Sequence, residues 1–65
     1  MFLIVNGKNC LLPELRTLDE LLRFLSPAFP FAVARNDELI PRGTYEECVI
    51  SAGDRIDIVH PTAGG

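Results

Sequence analysis

What this chain has little of narrows its chemistry before any motif is considered. It has a single histidine and two cysteines, Cys10 and Cys48. These form no CxxC pair and no cysteine–histidine spacing of the kind that ligates a metal. Without a signal for secretion, both cysteines read as small buried hydrophobes in a reducing cytoplasm. Met1 to Val5 is too short for the apolar core of a signal peptide and lacks a basic lead-in. No apolar run approaches the roughly 20 residues of a membrane span. Basic residues are also sparse: Lys8, Arg16, Arg23, Arg35, Arg42 and Arg55 are scattered, and the formal net charge is −3. That argues against the basic stripe that nucleic-acid backbones require and favours a basic protein as partner. Finally, 65 residues make one small domain, which buries only about 60% of its unfolded surface. There is no room for an interior catalytic cavity, so a freestanding enzyme is disfavoured.

What is present looks globular: 48% of residues are hydrophobic and 23% charged, a balance that disordered chains do not show. Phe2 to Val5 is a β-branched and aromatic run, hence a strand. Asn6-Gly7 accepts the positive φ angles of a tight hairpin turn, Lys8 to Leu12 returns, and Pro13 ends the ladder. Thr17-Leu18-Asp19-Glu20 has the form of a capping box. Leu18, Leu21, Leu22 and Leu25 then make one apolar helical stripe, and Ser26-Pro27 stops the helix. Phe31 to Arg35 and Glu38 to Ile40 read as strands around an Asn36-Asp37 turn. Gly43 to Cys48 is weakly helical, and Val49-Ile50 is a short apolar piece. Gly53-Asp54 is a turn before a last strand, Arg55 to Val59, with Ile56 and Ile58 on one face. Neither the helix nor the sheet can bury its apolar face alone, so the helix must lie across the sheet. The expected fold is α+β: a β-grasp, or ubiquitin-like, mixed sheet of four to five strands packed against one main helix. Residues 1–60 form this domain and 61–65 an extended, flexible tail.

That tail is Pro61-Thr62-Ala63-Gly64-Gly65. Two glycines leave its last residues without side chains, so it is slim enough to thread a narrow channel. Five extended residues reach roughly 17 Å, far enough to carry a carboxylate from a folded body into another protein's active site. The expectation is a carrier whose terminus reacts; the alternative is a frayed end.

The residues resemble the ThiS family, the small sulfur-carrier proteins of thiamine biosynthesis. The likeness rests on Val5-Asn6-Gly7, on Thr17-Leu18-x-x-Leu21-Leu22-x-x-Leu25 and on Ala32-Val33-Ala34-x-Asn36-x-Glu38-x-Ile40-Pro41-Arg42-x-x-Tyr45. It ends with Gly53-Asp54-x-Ile56-Asp57-Ile58-Val59-x-Pro61-x-x-Gly64-Gly65. These pieces span almost the whole chain. Each is weak alone, and their order, spacing and terminal Gly-Gly together are specific. Pro13 and the Pro27 to Pro30 connection depart from the pattern, both in loops. The resemblance implies the β-grasp fold, with the last strand central and parallel to the first. It also implies a protein co-substrate rather than an enzyme. An E1-like adenylyltransferase similar to ThiF, using ATP and magnesium, would join Gly65 to AMP. A sulfur donor such as a cysteine desulfurase would convert the adenylate to a thiocarboxylate. A ThiG-like thiazole synthase would take the sulfur. No cofactor is expected on the chain itself.

Gly65 is thus the expected reacting residue, and Gly64 keeps the approach narrow. Pro61 either limits the tail's freedom, lowering the ordering cost of insertion, or simply ends the strand. With Ile56 and Ile58 toward the helix, Asp57 and Val59 face outward, and alternation places Phe2 and Ile4 outward too. Phe2, Ile4 and Val59 are therefore candidates for an apolar partner-docking patch. His60 has no acid or nucleophile at a useful spacing and reads as a solvent-facing strand-end residue. Asp54 supports a turn, Glu46-Glu47 a solvated face, and Tyr45 the core edge. A sulfur carrier for molybdopterin or cysteine synthesis, a ubiquitin-type modifier and an inert binding module remain open alternatives.

Overall fold

The structure, a computed structural model, describes residues 1–62. The elements follow the order β1 (Phe2–Val5), β2 (Lys8–Leu11), α1 (Leu18–Leu25), β3 (Ala32–Arg35), β4 (Glu38–Ile40), a 3₁₀ turn (Arg42–Thr44) and β5 (Arg55–Val59). They build a five-stranded mixed sheet in the order β2-β1-β5-β3-β4. The last strand runs parallel to β1 and antiparallel to β3, so β5 is central and the fold is a β-grasp.

Both hairpins turn on left-handed residues. Asn6 and Gly7 have φ of 49° and 79°, and Asn36 and Asp37 have 49° and 71°. Positive φ at both central positions matches the twist of the flanking strands. The two asparagines also reach across to β5. Asn6 donates its N–H to the Ile56 carbonyl at 2.9 Å and accepts from the Ile58 N–H at 2.7 Å. Asn36 donates to the Arg55 carbonyl at 2.8 Å and accepts from the Arg55 N–H at 2.8 Å. The central strand is thus held from either side by the turn of a neighbouring hairpin.

The helix begins at a complete capping box. Thr17 Oγ1 accepts from the Glu20 N–H at 3.2 Å, and Glu20 Oε1 accepts from the N–H of Thr17 at 3.4 Å and of Arg16 at 2.7 Å. Asp19 pairs with Arg23 at 2.8 Å, one turn on. Ser26 closes the helix in the left-handed region, φ 50°, its N–H on the Leu22 carbonyl at 2.7 Å. The stripe Leu18, Leu21 and Leu22 is buried, with Leu25 half-buried beside it. Opposite lie Leu3, Val33 and Ile56, each fully buried, with Ile50 completing the core. Each such side chain contributes roughly 1.5–3 kcal/mol on leaving water.

The departures from expectation are local. The second strand stops at Leu11 and the third starts at Ala32. The segment expected to be weakly helical is a single 3₁₀ turn, in which the Thr44 N–H and hydroxyl both donate to the Pro41 carbonyl at 3.0 and 2.7 Å. Val49 forms an isolated bridge with Thr17, which fastens the loop before β5 to the helix start and lets Ile50 enter the core.

Candidate functional site

Alternation along the strands sorts the sheet into two faces. Leu3, Val5, Ile56 and Ile58 pack toward the helix. The other face carries Phe2 and Ile4 on β1, Arg55, Asp57 and Val59 on β5, Ala32 and Ala34 on β3, Leu39 on β4 and Leu11 on β2. Phe2, Ile4 and Val59 therefore do share the outer face. They do not form one patch. Ile4 stands level with Arg55, and Val59 lies four residues further along β5, about 13 Å away at strand rise. Charged side chains fill the gap: Arg55 is paired with Asp37 and lies 3.7 Å from Asp57. Hydrogen bonding and attraction from Asp37 hold the Arg55 guanidinium above its ordinary pKa, against slight desolvation. The single docking patch expected from Phe2, Ile4 and Val59 is thus two apolar areas, separated because the parallel register sets β1 back from the end of β5.

The area nearer the tail is built by register. Val59 stands opposite Ala32, Asp57 opposite Ala34, and Ala34 opposite Leu39. Val59 is 58% exposed and Leu39 69%, and the two small alanines between them leave a shallow apolar surface. The distal area holds Phe2, Ile4 and Leu11, the last 88% exposed.

One step beyond the ladders, the same registers align three side chains from distant parts of the chain. Ala32 faces Val59, so Phe31 comes level with His60. Val33 faces Ile40, so Phe31 also comes level with Arg42. This row falls on the helix side, and Phe31 packs against the core edge. The Phe31 ring meets His60 at 6.4 Å between centroids and Phe29 edge-on at 6.3 Å. The Arg42 guanidinium lies 4.5 Å from the Phe29 centroid and 5.8 Å from that of Phe31, and its Nη2 donates to the Phe31 carbonyl at 3.1 Å. His60 Nε2 lies 2.9 Å from the Ala28 carbonyl oxygen. A carbonyl can only accept, so Nε2 carries the proton. Phe29, Phe31 and Arg42 had no role assigned from the sequence. Arg42 stood within the family-like Ile40-Pro41-Arg42 segment, the one signal that marked it.

At the other end of β5 the surroundings are polar and satisfied. Asp54 is buried. It accepts from the Ser51 N–H at 2.7 Å, Arg35 Nε at 2.9 Å and Asn36 Nδ2 at 3.2 Å. Burial pushes its carboxyl upward in pKa, but the Ser51, Arg35 and Asn36 hydrogen bonds outweigh that and hold it below its ordinary value. Arg35 is correspondingly raised, first by its hydrogen bond to Asp54, with desolvation opposing.

Among the described residues, no group of three histidine, cysteine, aspartate or glutamate side chains is placed to hold a metal. No helix among the described residues is long and apolar enough to cross a membrane, and those residues enclose no cavity. Pro61 is described and exposed, continuing the chain past His60. Gly64 and Gly65 lie outside the described residues. The described residues present two surfaces: an outer apolar area and, on the opposite face of the same sheet end, an aromatic–cationic cluster, both where the C-terminal segment leaves the domain.

A family model described as the ThiS family matches residues 3–65. The crystal structure of a thiamine biosynthesis protein (ThiS) from Geobacter metallireducens superposes with a TM-score of 0.86 at 28% identity, covering all of both chains. An NMR solution structure of a thiamine biosynthesis protein from the same organism gives 0.79 at 28% identity, covering all of this chain and 88% of that one. Comparison with the curated proteins produced no match.

Proposed function

Because the chain belongs to the ThiS family of small sulfur carriers in thiamine biosynthesis, we propose that it works as a protein co-substrate whose reacting group is the Gly65 carboxylate. A carboxylate is a poor electrophile and must be activated before sulfur can replace one of its oxygens. In the proposed cycle an E1-like adenylyltransferase, with ATP and magnesium, lets the Gly65 carboxylate attack the α-phosphorus and expel pyrophosphate. A sulfur nucleophile then forms a C–S bond as AMP leaves. Where the donor is a cysteine-desulfurase persulfide, a thiol cleaves the S–S bond and releases the thiocarboxylate. Thiazole synthase accepts the sulfur. The work takes place in the cytoplasm, where Cys10 and Cys48 stay reduced.

The observation that supports this reading is the joint placement of an exposed apolar area and the chain's exit at one end of β5. Val59, Ala32 and Leu39 give the adenylating enzyme a surface to grip beside the segment that must enter its active site. Gly64 keeps that segment narrow, and Pro61 limits its swing. Ile4 and Phe2, at the far end of the same face, belong to a second contact if a partner covers the whole sheet.

The test is intact mass after incubation with a candidate adenylating enzyme, ATP and a sulfur source. Exchange of one oxygen for sulfur, mapped to Gly65, is expected. Mapping is essential because oxidation of Met1, Cys10 or Cys48 adds nearly the same mass. A folded protein that shows no exchange with several such enzymes would overturn the reading.

A further inference from the structure

The C-terminal segment leaves the sheet at a residue that is held rather than loose. His60 follows the last ladder pair, yet its imidazole turns back to donate a hydrogen bond to the Ala28 carbonyl, 2.9 Å away. Its edge rests on Phe31. Phe31 is itself held: its carbonyl accepts from Arg42, whose guanidinium also lies over Phe29. The seat is assembled from the post-helix loop (Ala28, Phe29, Phe31) and from the turn after β4 (Arg42). Pro61 comes next, with a ring that locks φ near −65°. The ring also restricts the backbone of His60 before it, so the root of the segment has fewer free torsions than an ordinary stretch of chain.

We infer that His60 is a positioning residue, tying the root of the C-terminal segment to the 28–31 loop so that the segment leaves the domain already aimed. This rests on the carrier reading above. A tethered segment that sweeps a wide cone must surrender that freedom on entering a narrow channel, and the loss weakens association. A root ordered in the free protein has surrendered it during folding. His60 touches no reacting atom in this scheme; it acts through Pro61 and Thr62.

The experiment compares wild-type protein with His60→Ala and His60→Gln, the latter because a glutamine amide N–H sits near the Nε2 position. Two readouts are taken: the ¹⁵N heteronuclear NOE of Thr62 in the free protein, and the KM and kcat for ATP-dependent adenylation. His60→Ala is expected to lower the Thr62 NOE and raise KM roughly three- to tenfold, about one factor of ten being the scale of a single lost surface contact with its ordering term. The kcat and thermal midpoint should stay unchanged, and His60→Gln should recover most of both losses. An unchanged NOE in His60→Ala overturns the inference, because His60 then does not order the root; a raised KM alongside it would show that His60 contacts the enzyme directly. A lower NOE with unchanged KM also overturns it. Failure of wild-type protein to be adenylated at all would count against the carrier reading, and the Thr62 NOE would still decide whether His60 orders the root.

Discussion

The two ends of β5 do opposite jobs. At its start, Asp54 is buried and accepts three hydrogen bonds from Ser51, Arg35 and Asn36, so the buried carboxylate there is fully satisfied from within the chain. At its close, Val59 and Leu39 stand open on the outer face, Phe29 is 70% exposed beside Arg42, and the chain runs on toward Gly65. The first end ties a turn to a hairpin and a loop. The second leaves apolar area uncovered in a protein too small to spare much of it. In a domain with a single small core, the chain places a satisfied polar cluster at one end of the central strand and, at the other, the exposed apolar area to which the proposed function assigns partner contact. Changes at the first end should therefore act on stability, and changes at the second on transfer.

The sharpest way to break that contrast is to delete Gly64 and Gly65. Sulfur transfer should be abolished while the thermal midpoint hardly moves. A truncated protein that still supports thiazole formation would end the carrier reading. Next in size is Asp54→Ala, which leaves the Ser51 N–H and Arg35 without their acceptor and should cost about 2–3 kcal/mol in urea unfolding. A loss below about 0.5 kcal/mol, the range of ordinary surface changes, would show that this end is no staple.

At the other end, Val59→Asp should weaken affinity for the adenylating enzyme by roughly tenfold, as expected for one contact worth about 1.4 kcal/mol, with stability within surface-mutant range. Ile4→Asp, across the Arg55–Asp57 charges, should do less. Equal losses at both sites, read by calorimetry, would join the two apolar areas into one interface.

The smallest effect is on acid stability. The folded Asp54 carboxyl titrates below its ordinary value of 3.8. A carboxyl with a depressed pKa contributes stability that is complete above the unfolded value and is lost as pH falls through the folded one. The urea midpoint of the wild type should therefore decline as pH drops below about 4, and Asp54→Asn should flatten that decline. Parallel curves for the two proteins would assign the acid loss to other carboxylates.

Much of the fold is written in short stretches. The capping box, Leu18 to Leu25 stripe, Asn6-Gly7 and Asn36-Asp37 turns and the strands between them are local signals, each complete within a few residues. Alternation was enough to place Phe2, Ile4 and Val59 on one face. It could not show that Val59 is distant from Ile4, because strand period says which face a residue takes and nothing about how far a neighbouring strand is displaced. For the same reason Phe31, Arg42 and His60, far apart in sequence, gave no sign of lying in one row.

Thus the amino-acid order specified the elements, their inward faces and a side-chain-free terminus, since these depend on backbone preference and on the spacing of apolar residues within each segment. The folded sheet settled which segments became neighbours. Asn6 finds Ile58 across 52 positions and His60 finds Ala28 across 32, and such pairs exist only after β5 has entered between β1 and β3. Their geometry is set by hydrogen-bond register between strands, a property of the assembled sheet that no single stretch of the chain contains.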